Sequence, residues 1–401
     1  MTLVRPIQSR RQRRRRAPLR SEILIPRQGG LCSVGADDMF LGMSPGSVRE
    51  HNSHLLEILK RIRLRVQDTD SLELDPDFCQ SVMQDLRSIG LSAYTSLGDH
   101  FMEAFDTLEQ GAGRPGLALT IRSDTFPLLW EMLYTGPFRG DVQEDKLWGF
   151  HHQIARFQIG NSAPEEELYP DSDFLFCCDR QLSHWRQEHD DIKRSVSHRF
   201  QFHSLDDALP HVAAYVGRSE PGECFVDTLA LLELGLLHLA CHCQPDPDQS
   251  SVLSSELTFS YESSQISVKL HELKAARREL GFALHPLVFL NACKTMTNPE
   301  HLVQGDSFPG GFLRLGASGV IATACDVPDK FAAAFASKFY EILCENVERH
   351  SPTVSEALLR TRQFFIRPPY YNPLGLVYGL YARNDLHIEW EPWIDIEEEN
   401  Q

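Results

Sequence analysis

No stretch of this sequence is apolar enough to cross a bilayer, which takes about 20 consecutive apolar residues. The longest apolar run, residues 229–241, is interrupted by Glu233. The arginines near the start are followed by a mixed segment, residues 17–22 (APLRSE), and not by the apolar core of a secretory signal. Internal repeats are also absent. These absences predict a cytoplasmic protein with no membrane partner.

Cysteine is scarce and scattered, with ten residues among 401 and no sign of a secreted disulfide framework. We therefore expect reduced thiols. The segment Cys241-His242-Cys243 contains metal-binding residue types. However, it lacks the Cys-x-x-Cys spacing of zinc sites, and no second ligand pair follows at a standard distance. The sequence predicts neither a metal nor another cofactor.

Positive charge is scarce outside the first twenty residues. The net charge is −17, and the eight arginines of residues 1–20 leave −25 for the remaining chain. Such an acidic body argues against nucleic acid as the main partner of the folded part. Residues 1–40 combine the arginines with proline and glycine, which predicts a disordered, solvated tail. A role for the tail as a tether to nucleic acid or as a localisation signal stays open.

Apolar periodicity divides the remaining chain into two parts. Residues 41–170 are predicted to be mainly helical with some β structure, and the helical patterns lie at 51–67, 75–90 and 97–110. In residues 171–395 short apolar strands alternate with helices. This order predicts an α/β domain with a mainly parallel sheet and helices on both faces.

Two apolar strands of the α/β part end in residues that suit nucleophilic catalysis. Residues 236–240 lead into Cys241-His242-Cys243, and residues 287–290 lead into Asn291-Ala292-Cys293. Ligands bind beyond the carboxyl ends of parallel strands, and an imidazole there can hold a thiol as the reactive thiolate. His242 precedes Cys293 by 51 residues, an interval typical of caspases. On spacing alone, a buried structural cysteine beside an incidental histidine remains an equal alternative.

These two segments, residues 235–243 (GLLHLACHC) and 286–295 (PLVFLNACKT), resemble the histidine- and cysteine-bearing strand ends of CHAT-domain proteins. CHAT-domain proteins are caspase-like cysteine peptidases that often carry tetratricopeptide repeats, which are missing here. Further resemblance extends over roughly residues 117–390, in the segments 126–134, 147–156, 319–329 and 372–381. The resemblance implies a caspase-like fold, with His242 and Cys293 as the catalytic dyad. It also implies a protein substrate cut at few sites and gating by an activating partner or effector.

The sequence departs from the family pattern near the expected site. Cys243 follows the histidine where glycine is common, so its backbone N–H serves an oxyanion hole only if the backbone tolerates a side chain there. Asn291 is neutral where relatives that cleave after Arg or Lys often have an acid, which predicts no strict requirement for a basic P1 residue. The remaining candidates for the substrate pocket are Asp306, Cys325, where tryptophan is common, Asp326 and Asp329.

Several other residues are assigned structural roles. Trp130, Glu131 and His238 are interpreted as packing and hydrogen-bonding residues, and Asp326 and Asp329 as caps of the helix that begins near Lys330. Two functions remain in view. The first is a Cys-His endopeptidase. The second is a catalytically silent caspase-like scaffold that binds other proteins, which the departures at Cys243 and Cys325 leave open.

Overall fold

A computed structural model describes residues 20–25, 31–35, 37–112, 116–123, 126–157, 167–216, 225, 228–244, 255–261, 264–276, 281–292, 307–345 and 351–389. Within these ranges the strands are β1 (Arg20–Ile25), β2 (Leu31–Val34), β3 (Asp37–Phe40), β4 (Ala118–Ser123), β5 (Gln153–Phe157), β6 (Glu167–Leu168), β7 (Asp173–Cys178), β8 (Gln201–Ser204), β9 (Leu234–Gln244), β10 (Glu256–Tyr261), β11 (Ser264–Lys269), β12 (Leu287–Ala292), β13 (Gly319–Thr323), β14 (Tyr378–Ala382) and β15 (His387–Ile388). The helices are α1 (Pro45–Thr69), α2 (Pro76–Ser96), α3 (Asp99–Ala112), α4 (Trp148–His151), α5 (Trp185–Val196), α6 (Leu205–Val216), α7 (Leu270–Ala276), α8 (Phe308–Arg314), α9 (Asp329–Leu343) and α10 (Val354–Ile366).

Thirteen of the strands form a central sheet with the order β11-β10-β9-β12-β13-β14-β5-β4-β1-β2-β3, and β7 and β8 branch from β9. The pairs β7/β9, β9/β12 and β12/β13 are parallel. β12 has a paired strand on each edge and is buried at every position, which is typical of a central parallel strand with both faces covered. The predicted fold class, a mainly parallel sheet with helices and a helical region before it, is confirmed. The sheet also continues through β4 and β5 of the part before residue 171.

The predicted tail is too long, because residues 20–25, 31–34 and 37–40 form strands at one end of the sheet. β1 pairs in parallel with β4, and Ile23 lies opposite Ile121. Apolar residues bury this segment: Ile23 and Cys32 are fully buried, and Val34 is nearly so. The high content of arginine, proline and glycine in residues 1–40 is typical of a tail, so these few apolar residues were not predicted to form strands. Residues 1–19 lie outside the described part of the chain.

The three predicted N-terminal helices are present as α1, α2 and α3, with different ends. Ser44 caps α1 by accepting a hydrogen bond from the backbone N–H of Ser47 at 3.1 Å. The second predicted helix ends at Gly90, because glycine often follows the last turn of a helix, but α2 continues to Ser96. Glycine is required at position 90 for another reason: a Cβ atom there would lie 2.3 Å from the backbone oxygen of Met132. Close packing, and not capping, explains the residue.

One face of the sheet carries an aromatic layer against α5 and α9. His238 of β9 and Phe289 of β12 are neighbours in the parallel register. The Tyr340 ring lies 5.6 Å from the His238 ring, and the Phe339 ring lies 5.2 Å from the Phe289 ring. His238 is fully buried, and its Nε2 lies 3.1 Å from Oε1 of Glu188. As predicted, His238 is a core histidine with its hydrogen bonds satisfied.

A buried ionic network joins the region before β5 to the end of the chain. Glu131 is 2% exposed, and Arg156 of β5 donates hydrogen bonds to both oxygens of its carboxylate. Arg362 of α10 lies 3.5 Å from Oε1 of Glu131 and donates to the backbone oxygen of Tyr378 at 2.5 Å. Burial lowers the pKa of Arg362 to about 10. This geometry agrees with the structural role predicted for Glu131.

His152 should make the stability of the fold depend on pH. Its Nδ1 accepts the backbone N–H of Leu117 at 3.0 Å. Burial, aided by the charges of His151 and Lys146, lowers the pKa of His152 to about 3. Because an unfolded histidine has a pKa of about 6.5, the unfolded chain binds this proton preferentially below that pH. Stability therefore decreases as the pH falls from about 6.5 towards 3.

We expect this group to remove about 2 kcal/mol from the free energy of unfolding between pH 7 and pH 5. Urea unfolding of the wild type and of His152→Asn at both pH values measures the effect. Asparagine keeps an acceptor for the Leu117 N–H but does not titrate. The variant should lose about 2 kcal/mol less on acidification. An equal loss in both proteins would show that His152 does not cause the pH dependence.

Candidate functional site

A cleft of about 450 Å³ lies at the carboxyl ends of β9, β12 and β13. Its floor includes His242, near the end of β9, and Ala292 and Thr323, which end β12 and β13. Helix α1 supplies one wall, and a second wall comes from the segment before α9 and the start of that helix. The residues of these two walls are Arg63, Val66 and Gln67 of α1 with Asp70 directly after it, and Asp326, Val327 and Pro328 before α9 with Asp329, Lys330 and Ala332 at its start. This is the edge where the sequence predicted a site.

His242 lies among the residues that line the cleft. It directly follows the last described pair between β9 and β12, in which Cys241 lies opposite Ala292. Its side chain is 41% exposed, whereas His238, four residues earlier on the same face of β9, is fully buried. The Nε2 atom of His242 lies 3.7 Å from Oδ2 of Asp179. An accessible imidazole at this edge can accept and donate protons.

Cys293 and Asp306 lie outside the described residues. The structure does describe the strand that leads to Cys293. Ala292, the last residue of β12, is 3% exposed, and its backbone oxygen accepts a hydrogen bond from Oγ1 of Thr323 at 2.8 Å. Thr323 ends the neighbouring strand β13. This bond fixes the end of β12 against the cleft.

Asn291 is held in a buried network at the bottom of the cleft. Its Nδ2 donates to Oε1 of Glu188 at 2.6 Å, and its Oδ1 accepts from the hydroxyl of Tyr378 at 3.0 Å. Glu188 also bonds His238, so one buried carboxylate joins β9, β12 and α5. Asn291 borders the cleft, but both ends of its amide group are already in hydrogen bonds.

The other candidates lie at different places around the site. Cys243 continues β9 with a buried side chain opposite Leu257 of β10, and it is not among the residues that line the cleft. Cys325 is half-buried, and its thiol donates to the backbone oxygen of Asp326 at 3.5 Å. The structure therefore brings His242, Asn291, Asp326 and Asp329 to one cleft, with Cys243 behind it.

The predicted capping role of Asp326 is wrong, whereas Asp329 lies in the first turn of α9, where a carboxylate suits the helix dipole, but makes no capping hydrogen bond. Helix α9 has Pro328 at its N-cap position and no capping hydrogen bond from a side chain. Asp326 forms an ion pair with Arg63 of α1 at 2.6 Å. Asp329 accepts the backbone N–H of His184 at 2.8 Å, and burial raises its pKa. Both carboxylates are used for contacts between elements distant in the sequence, which local capping rules do not predict.

Three features of this site were not predicted from the sequence: Glu188, Asp179 and the wall formed by α1. Glu188 lies in a polar helical segment, and its only signal is that it shares a four-residue spacing with the buried Ile192 and Val196. Asp179 directly follows strand β7, which is the same signal that identified His242 and Cys293. The contact of α1 with the cleft has no signal in the sequence.

Glu109, His151 and His152 offer three potential metal-ligand atoms within 4.8 Å of one another. The hydrogen bonding of His152 argues against a metal there. Since its Nδ1 accepts the N–H of Leu117, the proton of the neutral ring resides on Nε2, the atom nearest to Glu109. A protonated nitrogen has no lone pair for a metal. Only two ligands would remain.

None of the described helices is long and apolar enough to span a membrane. No disulfide joins any two of the eight cysteines in the described ranges.

Comparisons with known proteins agree with the resemblance seen in the sequence. A probable protease of Vitiosangium sp. (strain GDMCC 1.1324) is 37% identical over 111 residues, which is 27% of this chain and 13% of that protein. This chain thus matches only a small part of that relative.

Among solved structures, the complex of the pro- and mature domains of Porphyromonas gingivalis RgpB is similar, with a TM-score of 0.44 and 10% identity. That similarity covers 78% of this chain and 70% of the other. The Saccharomyces cerevisiae separase–securin complex gives a TM-score of 0.39 and 13% identity, over 86% of this chain and 22% of the other. Residues 198–390 match the CHAT domain. Residues 198–390 are therefore similar to the CHAT domain, and the resemblance predicted from the sequence is confirmed for that part of the chain.

Proposed function

We propose that this protein is a cysteine endopeptidase that cleaves a protein substrate with Cys293 as nucleophile and His242 as base. The observation that carries the proposal is the position of His242, exposed in a cleft beside the end of β12. Cys241 and Ala292 are paired in parallel, and the residues that follow them in the sequence are His242 and Cys293. Paired residues of neighbouring parallel strands extend from the same face of a sheet. The thiol and the imidazole are thus expected to meet in the cleft.

The proposed reaction is acyl transfer. His242 takes the proton of the Cys293 thiol, and the thiolate attacks the scissile carbonyl carbon. Backbone N–H groups near Cys243 and Cys293 stabilise the oxyanion. When the C–N bond breaks, His242 gives its proton to the leaving amine. Water then hydrolyses the thioester, which releases the acid product and restores the thiol.

The surroundings of the cleft support a preference that is not restricted to basic P1 residues. Asn291 is uncharged, and its amide is already bonded to Glu188 and Tyr378. The carboxylate of Asp326 is paired with Arg63. We therefore propose that cleavage does not require Arg or Lys at P1. Peptides that differ only at P1 test this, and cleavage after Arg alone would refute it.

Gating by a partner or effector is also part of the proposal. Helix α1 is joined to the opposite wall of the cleft by the ion pairs Arg63–Asp326, at 2.6 Å, and Lys330–Asp70, at 3.3 Å. Lys330–Asp70 is a partly exposed pair, and such pairs contribute about 1 kcal/mol or less. The side chains of Arg63 and Asp326 are only 24% and 22% exposed, so this pair is the stronger tie between the two walls. A partner that binds α1 and competes for these charges can therefore shift this wall.

The proposal is tested with an extract of the cells that make this protein, which supplies both substrates and any activator. Wild type or Cys293→Ala is added to the extract, and new protein N-termini are labelled and identified by mass spectrometry. We expect a small set of new N-termini with the wild type that is missing with Cys293→Ala. Identical sets would contradict the proposal, provided that both proteins unfold at the same temperature.

A catalytically silent scaffold is the second candidate, and the side chains at Cys243 and Cys325 are the observation that favours it. A scaffold would bind proteins from the same extract equally well with or without the Cys293 thiol. It would also generate no new N-termini.

A further inference from the structure

We propose that Asp179 is a positioning residue for His242, an inference that rests on the proposed peptidase function. Asp179 completes a Cys-His-Asp arrangement in which the carboxylate touches only the imidazole and not the substrate. It directly follows β7, the parallel neighbour of β9 on the side away from β12. The arrangement thus draws its three groups from the ends of three adjacent strands.

The backbone register explains why Asp179 faces His242. Cys178 of β7 is paired with Ala240 of β9, and the backbone N–H of Asp179 donates to the oxygen of Ala240 at 2.7 Å. His242 is two residues further along β9. Because β7 ends beside Ala240 and β9 continues past it, Asp179 and His242 come to the same corner of the sheet.

The carboxylate of Asp179 is held rigidly through one of its oxygens. Oδ1 accepts the backbone N–H of Gln181 at 3.0 Å and the hydroxyl of Ser260 at 2.9 Å. Ser260 belongs to β10, which pairs with β9, and its oxygen also accepts the N–H of Arg180 at 3.0 Å. The hairpin β10–β11 thereby fixes the orientation of the carboxylate.

The second oxygen, Oδ2, is left for the imidazole. Asp179 is fully buried, and Oδ2 accepts no hydrogen bond from the described residues. Leaving a buried carboxylate oxygen without a partner costs about 1–3 kcal/mol or more. Nε2 of His242 lies 3.7 Å away, too far for a hydrogen bond but close enough for an ion pair. Such contacts often shorten when a substrate closes the site.

This geometry assigns the tautomer of the neutral His242 ring. An N–H on Nε2 that points to Asp179 leaves the lone pair of Nδ1 to take the proton of a thiol. The carboxylate then stabilises the imidazolium that forms. The four acids that line the cleft are bonded to other groups. Asp70 pairs with Lys330, and Asp326 pairs with Arg63. Glu188 is bonded to His238 and Asn291, and Asp329 accepts the N–H of His184. Asp179 is not among the residues that line the cleft, so it acts through His242.

The test replaces Asp179 with Asn, which keeps the size of the side chain but removes the charge. The matched control is Asp173→Asn at the other end of β7, where a carboxylate also contacts a histidine, His203, at 2.9 Å. The first readout is the ¹⁵N NMR spectrum of histidine-labelled protein at a pH where the ring is neutral, with the His242 signals assigned from His242→Gln. We expect Nε2 to carry the proton in the wild type and in Asp173→Asn, and a shift of the proton towards Nδ1 in Asp179→Asn.

The second readout is the hydrolysis of a fluorogenic peptide that spans the strongest cleavage site found in the cell extract. For Asp179→Asn we expect kcat to fall by about 10²-fold or more while KM stays nearly constant. An unchanged proton position or an unchanged kcat in Asp179→Asn overturns the assignment of Asp179. If the wild type cleaves nothing, the proposed function fails instead, and the NMR result still decides whether Asp179 orients His242.

Discussion

Replacing Glu131 with Gln should lower the free energy of unfolding by about 3–5 kcal/mol, because it leaves two buried arginines without their counter-charge. Arg156 is bonded to both oxygens of Glu131, and Arg362 is 1% exposed. Burial alone raises the pKa of Glu131, but the charges and hydrogen bonds of these arginines bring it below its ordinary value. The carboxylate is therefore ionised at neutral pH, and glutamine cannot replace its charge.

Urea unfolding at pH 7 measures this loss. A matched control is Glu345→Gln, which removes an exposed partner of Arg360 at 2.7 Å. The control should change stability by less than about 1 kcal/mol. If both substitutions have the same small effect, the buried network of Glu131, Arg156 and Arg362 does not contribute to stability as proposed.

The substitution His242→Ala should lower the rate of peptide cleavage by about 10²–10⁴-fold, since it removes the group that takes the thiol proton and protonates the leaving amine. The side chain is 41% exposed in the cleft but contacts the buried carboxylate of Asp179, so the unfolding temperature of the variant is measured alongside its rate. The rate is measured with the fluorogenic peptide defined by the cell-extract experiment.

His203→Ala is the matched control, because His203 also contacts a carboxylate, that of Asp173, but lies at β8, away from the cleft. Its cleavage rate should remain close to that of the wild type. A rate for His242→Ala within twofold of the wild type would contradict the role of His242 as base.

The sequence predicted the position of the site because that position follows from strand ends. Apolar runs of four or five residues identify buried strands, and parallel pairing brings their carboxyl ends to one edge. His242 therefore lies where the sequence placed it. Asp179 follows the same rule, because it comes directly after β7, the parallel neighbour of β9.

Other features depend on contacts between distant parts of the chain. Glu188 is buried because His238 and Asn291 supply its partners, and no local pattern in the sequence requires this. Arg63 borders the cleft only because α1 packs against the segment before α9, 263 residues later. The strand Arg20–Ile25 was not predicted because arginine-rich sequence precedes it. Its pairing partner, β4, is also about 100 residues away. Local periodicity cannot indicate such pairings.

The central claim is that His242 activates the thiol of Cys293, and site-resolved alkylation tests it without a substrate. The native protein is treated with iodoacetamide at pH 7, and the modified cysteines are measured by mass spectrometry over time. Buried thiols serve as internal references: burial raises the pKa of Cys178 and of Cys344 to about 12, so both should react slowly. Cys293 should react fastest in the wild type and roughly tenfold or more slowly in His242→Ala. Equal rates at Cys293 in the two proteins would contradict the account.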